Sequence, residues 1–191
     1  MSVMLPRVII VPGNHETSIE ANWYLDVKRR LEENGFSVVA KTMPDGYLAR
    51  KEIWLPFIEK ELENSPNAII VGHSSGAVAA LRYLETHTLE GVVIVGACYT
   101  DLGSETERLS NYYSAPWHWE TIKKNAKWII QYASVDDPFI PIHEAQFIHE
   151  KLGTDYHEDT SEGHYGSSHK EKKEFLELTN VILAKYSLLP F

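Results

Sequence analysis

Five residues near the middle of the chain, Gly72-His73-Ser74-Ser75-Gly76, set a serine between two glycines with one residue on either side. The apolar run Ala68-Ile69-Ile70-Val71 precedes them, and the small residues Ala77, Ala79 and Ala80 follow at helical spacing. A buried strand that turns at once into a helix forces its turn residue into a strained backbone conformation. Glycines two before and two after leave room for neighbouring chain, and the serine hydroxyl is held out at the carboxyl end of the sheet. The helix N-terminus places the positive end of a dipole where negative charge would develop. This pattern suits nucleophilic attack by Ser74, with the backbone N–H of Ser75 donating to an oxyanion. A glycine-rich turn without chemistry is the plainer alternative. The strand before it and the small-residue helix after it favour the nucleophile.

A serine hydroxyl needs a base, and the base needs an orienting group. Both belong in loops at the carboxyl ends of later strands, in the chain order serine, acid, histidine. Ser134-Val135-Asp136-Asp137-Pro138-Phe139-Ile140-Pro141 follows one apolar strand, and Ser161-Glu162-Gly163-His164-Tyr165-Gly166 follows a weaker one. Asp136 and Asp137 compete for the acid. The D-x-x-apolar-Pro form of Asp137 to Pro141 favours Asp137, which leaves Asp136 to cap the loop or bind backbone amides. A simple turn would explain the composition of this stretch but not its position. Of the nine histidines, His164 lies between Gly163 and Gly166 in a loop before the last helix. His169 reads as a solvated cap, and His73 as a side chain packed beneath the junction. His15, His143 and His149 fall on loops or helix faces without an acid-serine context. His157, His164 and His169 have no recognised metal-ligand spacing, so no metal and no cofactor are expected. Pro12-Gly13-Asn14-His15 ends the first strand, and the N–H of Asn14 is the expected second oxyanion donor.

These loops need a scaffold. Strand patterns cover Arg7 to Val11, Phe36 to Ala40, Asn67 to Val71, Gly91 to Ala97, Lys127 to Ala133 and, marginally, Asp155 to Glu158. Helical spacing covers Asn22 to Asn34, Ile53 to Leu62, Ser75 to Glu85, Trp117 to Asn125, Ile142 to Leu152 and Lys170 to Lys185. Strands alternate with helices and are apolar throughout, which predicts an α/β fold: a mostly parallel sheet of five to six strands with helices on both faces. Tyr99 to Pro116 is the one long irregular stretch. It reads either as a cover over the site or as an outlying piece of core.

The length of 191 residues predicts one domain over residues 1–191. With 18 Lys and Arg against 27 Asp and Glu, the formal net charge is −9. An acidic chain without a basic block is a poor partner for nucleic acid or an anionic membrane. One cysteine, Cys98, permits no internal disulfide. No signal-peptide pattern and no apolar stretch of about 20 residues is present, which favours a cytoplasmic setting.

Several motifs occur together: VPGN after the first strand, IWLPF at 53–57, IIVGHSSGA at the junction, DLGSETER at 101–108, PWHWE at 116–120, DDPFIP at 136–141 and GH at 163–164. In these the chain resembles the retinoblastoma-binding protein nine group of small serine hydrolases, a minimal α/β-hydrolase branch without a large lid domain. The resemblance spans nearly the whole chain. It implies a nucleophile at Ser74, an acid at Asp137 and a base at His164. It also implies a cytosolic hydrolase of small esters or amides; carboxylesterase, aminopeptidase-like amidase and thioesterase all fit the sequence. One departure matters. The pocket-protein binding that names the group is attributed to an L-x-C-x-E peptide. Leu62-Glu63-Asn64-Ser65-Pro66 stands in that place and lacks both the cysteine and the acidic end, so that partner does not carry over. Glu20 or Asp101 at a pocket mouth would favour a cationic amine substrate. The alternative function is an interaction module that keeps the fold without catalysis, with an exposed apolar patch around Trp117 and Trp119.

Overall fold

A computed structural model describes residues 4–63, 65, 67–166 and 170–187; Asn64, Pro66 and His169 lie outside these. Its elements are β1 (Arg7–Val11), α1 (Tyr24–Glu33), β2 (Ser37–Ala40), α2 (Lys51–Leu62), β3 (Ala68–His73), α3 (Ser75–Tyr83) and β4 (Gly91–Val95), then α4 (Glu105–Leu109), α5 (Trp119–Lys124), β5 (Ile129–Ser134), α6 (Ile142–Leu152), β6 (Asp155–Asp159) and α7 (Leu176–Ala184). The six strands make one sheet in the order β2-β1-β3-β4-β5-β6, parallel at every pairing.

Successive strand residues point to opposite faces. Val8 and Ile10 of β1 enter one hydrophobic cluster, and Ile9 and Val11 enter the other; Val93 and Val95 of β4 separate from Val92 and Ile94 in the same way. Both faces are covered, so the strands read as unbroken apolar runs. Tyr24, Val27 and Leu31 of α1 close one face together with Leu178 and Ile182 of α7. Ile58 of α2, Val78 of α3, Ile122 of α5 and Ile148 of α6 close the other. Pro56 sits inside α2 on its exposed side, where water can serve the carbonyl its missing N–H leaves unbonded.

The last helix differs from expectation. It starts at Leu176, not at Lys170. Phe175 is non-helical (φ −140°, ψ 69°) and 2% exposed, packed against Trp23, Tyr132 and Tyr165. Burying that ring draws residues 170–175 across the surface, and the charged pattern of Lys170 to Glu174 yields to it. The helix expected at Trp117 to Asn125 is shorter, Trp119–Lys124.

The segment between β4 and α5 is pinned at both ends by buried charged side chains. Glu144 of α6 accepts from the amides of Tyr99 (2.8 Å) and Thr100 (3.1 Å) and from the Thr100 hydroxyl (2.6 Å). Arg82 of α3 donates to the carbonyls of Tyr112 (2.8 Å), Ala115 (2.7 Å) and Pro116 (3.1 Å). Between these anchors runs the single-turn helix α4, N-capped by Ser104. Trp117 and Trp119 stack on each other at 5.1 Å, and the Arg82 guanidinium lies 3.6 Å from the Trp117 ring centre. They are half-buried packing rather than an open patch. Among the described residues, no helix is long and apolar enough to cross a membrane.

Candidate active site

The chain order reverses across the sheet at β1, which lies between β2 and β3. Open parallel sheets place their sites at the carboxyl end of such a reversal. Val11 and Gly72 are register partners there, so the loop after β1 and the start of α3 emerge side by side.

Ser74 takes φ 55° and ψ −123°, a conformation costing an L residue about 1–3 kcal/mol. Its amide hydrogen-bonds to the Val95 carbonyl at 2.8 Å, which ties the turn to β4. The two flanking glycines are required by close approach. A Cβ on Gly72 would lie 2.4 Å from the Gly76 carbonyl oxygen, and one on Gly76 would lie 2.2 Å from that of Val11. Backbone cannot retreat from such contacts, so α3 folds back on β3 only with glycine at 72 and packs against the end of β1 only with glycine at 76. The Ser75 N–H belongs to the first turn of α3, whose amides have no intrahelical acceptor. The Ser75 hydroxyl is buried without a partner among the described residues.

Asp137 and His164 meet across the ends of β5 and β6. His164 Nδ1 lies 2.6 Å from Asp137 Oδ2, with side-chain exposures of 5% and 2%. The other Asp137 oxygen accepts from the amides of Phe139 (2.8 Å) and Ile140 (3.0 Å). Gly96, at φ 58°, ends β4 beneath the imidazole, where a Cβ would approach His164 Cε1 to 3.0 Å. Asp136 does different work. Its Oδ1 accepts from the Ser134 hydroxyl (2.6 Å) and from the Gly163 amide (2.8 Å), so it ties the β5 loop to the loop that carries His164. Those donors, the Ser134 hydroxyl first and the Gly163 amide second, hold its carboxyl below the ordinary range.

His73 sits under this loop. Its Nε2 lies 3.0 Å from the His164 carbonyl, and its Nδ1 lies 2.6 Å from the Tyr24 hydroxyl. A carbonyl only accepts, so Nε2 carries the proton and Nδ1 accepts from Tyr24. Burial, followed by the neighbouring His164, holds His73 well below its ordinary pKa. Burial pushes the Tyr24 phenol up to about 12. Trp23 Nε1 donates to the Tyr165 carbonyl at 2.9 Å. The loop is therefore gripped from below at two successive carbonyls.

Ser74 and His164 line one cavity of about 510 Å³, together with Gly13, Asn14, Phe139 and Ile140. No hydrogen bond between Ser74 Oγ and the imidazole is among the contacts of the described residues; catalytic hydrogen bonds often tighten only in the reacting complex. Gly13 passes close by, since a Cβ there would stand 3.3 Å from Ser74 Cβ. Asn14 is 7% exposed, and its Nδ2 donates to Glu107 Oε1 at 2.7 Å.

The cavity lining decides points that the sequence leaves open. Leu102, Ser104 and Glu107 line the cavity while Trp117 and Trp119 do not, so the 99–116 segment is a wall and the tryptophans after it are outlying core. His15, read as lacking context, lines the cavity; Glu20 and Asp101 do not, and Glu107 is the carboxylate there. Sequence reasoning also missed Arg82 and Glu144; for Arg82 its place among Val78, Ala79, Ala80 and Leu81 was the available signal, and Glu144 had none. Among the described residues, no group of three or more His, Cys, Asp or Glu is arranged to hold a metal ion.

Known proteins share this architecture. A family model described as "Serine hydrolase" matches residues 8–177. Serine hydrolase RBBP9 of Rattus norvegicus is 45% identical over 178 residues, covering 92% of this chain and 93% of that one. Among solved structures, the ydeN gene product of B. subtilis superimposes with a TM-score of 0.84 at 23% identity, covering 95% of this chain and 99% of that one. Est1E of Butyrivibrio proteoclasticus, solved with ferulic acid bound, gives 0.72 at 13% identity, covering 98% and 90%. At these identities the two structures speak for the fold, an α/β-hydrolase sheet without a large lid.

Proposed function

The chain belongs to the serine hydrolase family, and we propose that it cleaves small esters or amides through an acyl-enzyme on Ser74. The observation that carries this reading is the buried 2.6 Å contact between Asp137 and His164, whose imidazole lines the same cavity as Ser74. With Nδ1 engaged by Asp137, Nε2 is the ring nitrogen left to take the Ser74 proton. Asp137 fixes that tautomer and stabilises the imidazolium that forms. Ser74 Oγ bonds to the carbonyl carbon, and the displaced electron pair rests on the carbonyl oxygen, facing the amides of Asn14 and Ser75. His164 then gives its proton to the departing alcohol or amine. Water, deprotonated by the same imidazole, releases the acid and restores Ser74.

A cavity of about 510 Å³ with Leu102, Phe139 and Ile140 in its walls suits compact acyl groups better than long lipid chains. Short-chain p-nitrophenyl esters and amino-acid esters and amides, assayed on the purified protein and on Ser74→Ala, test this. Turnover should fall with acyl length and drop by about 10⁴–10⁶-fold in Ser74→Ala. Turnover that survives the substitution removes Ser74 from the mechanism, and no turnover on any substrate leaves the non-catalytic reading.

A further inference from the structure

We infer that Glu107 is a positioning residue for the oxyanion hole, acting through the side chain of Asn14; this rests on the reading of Ser74 as the nucleophile. The loop after β1 does not hold itself. His15 and Glu16 stand at φ 54° and 58°, two consecutive non-glycine residues in the left-handed region. An L residue enters that region only at a cost in energy, so the loop relaxes unless contacts restrain it.

The restraints after Asn14 fall on backbone groups of the loop. The Asn14 carbonyl accepts from the Thr17 amide (3.2 Å) and hydroxyl (2.6 Å). The amides of His15 and Glu16 donate to the carbonyls of Tyr47 (3.3 Å) and Gly46 (2.9 Å). On the cavity side the restraint is a side chain. Asn14 Nδ2 donates to Glu107 Oε1 at 2.7 Å, across 93 residues of sequence. A bond to a carboxylate is stronger than one to a neutral acceptor, and Asn14 is buried, so its amide group has little freedom to rotate.

Glu107 is itself fixed. The Tyr113 hydroxyl donates to Oε2 at 3.2 Å, and Cys98 Sγ lies 3.1 Å from that hydroxyl. Both ends of the segment that carries Glu107 are pinned by Glu144 and Arg82. Beside the loop's backbone bonds to Tyr47 and Gly46, the Asn14 side chain is thus referenced to α3 and α6 through Glu107. Losing an oxyanion donor costs about 100–1,000-fold in turnover. A donor that is loosened rather than lost should cost about 10–100-fold. The loss should fall on kcat and spare KM, because the contact forms in the transition state.

The test measures kcat and KM on neutral p-nitrophenyl acetate for wild type, Glu107→Ala, Glu107→Gln, Asn14→Ala and the double variant Asn14→Ala/Glu107→Ala. The two alanine variants should each lose about 10–100-fold in kcat, and the double should be no worse than either, since both cut one link. Glu107→Gln should stay within a few-fold of wild type, because its amide oxygen still accepts from Asn14. Losses that add in the double variant overturn the inference, and so does wild-type kcat in Glu107→Ala. A Gln variant as slow as the Ala one, or a defect confined to a cationic amino-acid ester, would assign Glu107 a charge role instead. If Glu107→Ala does not fold, Asn14→Ala against Glu107→Gln gives the same decision. Ser74→Ala separates the two levels: if it keeps turnover the nucleophile reading fails, and if it is dead while the Glu107 variants match wild type, only this inference fails.

Discussion

On one side of Ser74, Asp137 and His164 stand on loops at neighbouring strand ends that bond to each other and are gripped from below by His73 and Trp23. Asp137 takes the amides of Phe139 and Ile140, two and three residues further on, and Asp136 reaches across to the Gly163 amide beside His164. On the other side, Asn14 is held by Glu107, a residue on α4 in a different part of the chain. The first arrangement is built at adjacent strand ends, on several contacts. The second depends on a pinned 18-residue connection, from Tyr99 to Pro116. The acid and base of the proposed proton transfer sit on the side built at strand ends. The proposed donor to the oxyanion, Asn14, sits on the side restrained from a distance.

Substitutions should separate the roles within the first side. Asp137→Asn should lower kcat by about 10⁴-fold, because the imidazole loses its tautomer and its stabilising charge. Asp136→Asn keeps an oxygen for the Gly163 amide and should stay well under the roughly 100-fold that a misplaced catalytic group costs. Steady-state kinetics on a p-nitrophenyl ester decide this, and equal losses in the two variants would erase the distinction between the aspartates.

A smaller effect concerns His73, the support beneath His164. Its native pKa is held well below the ordinary 6.5 by burial first and by His164 second. The unfolded chain therefore takes up that proton first. The stability His73 contributes is present above about pH 6.5 and is lost as pH falls below it. Urea unfolding at pH 7, 6 and 5 should show wild type losing stability faster than His73→Gln, by up to about 1.4 kcal/mol per pH unit. Parallel losses would mean that His73 titrates in the native state as it does in the unfolded one.

The same contrast explains what could be read without coordinates. The positions of Ser74, Asp137 and His164 were legible because each lies in a short motif directly after an apolar strand, and a parallel sheet gathers its strand ends at one edge. The parallel order itself was legible from runs such as Gly91 to Val95, which are buried on both faces. Glu107, Arg82 and Glu144 were not. Their partners are 93, 30 and more than 40 residues away, and no local spacing encodes such pairings. The start of α7 was misread because the burial of Phe175 outweighed the helical preference of the charged residues before it.

Covalent capture tests the central claim most directly. A fluorophosphonate probe, followed by intact mass and peptide mapping, should add one phosphonyl group with loss of fluoride, located on Ser74. It should be absent from Ser74→Ala and present on Ser75→Ala. An adduct on any other residue, or one that survives Ser74→Ala, would contradict the account.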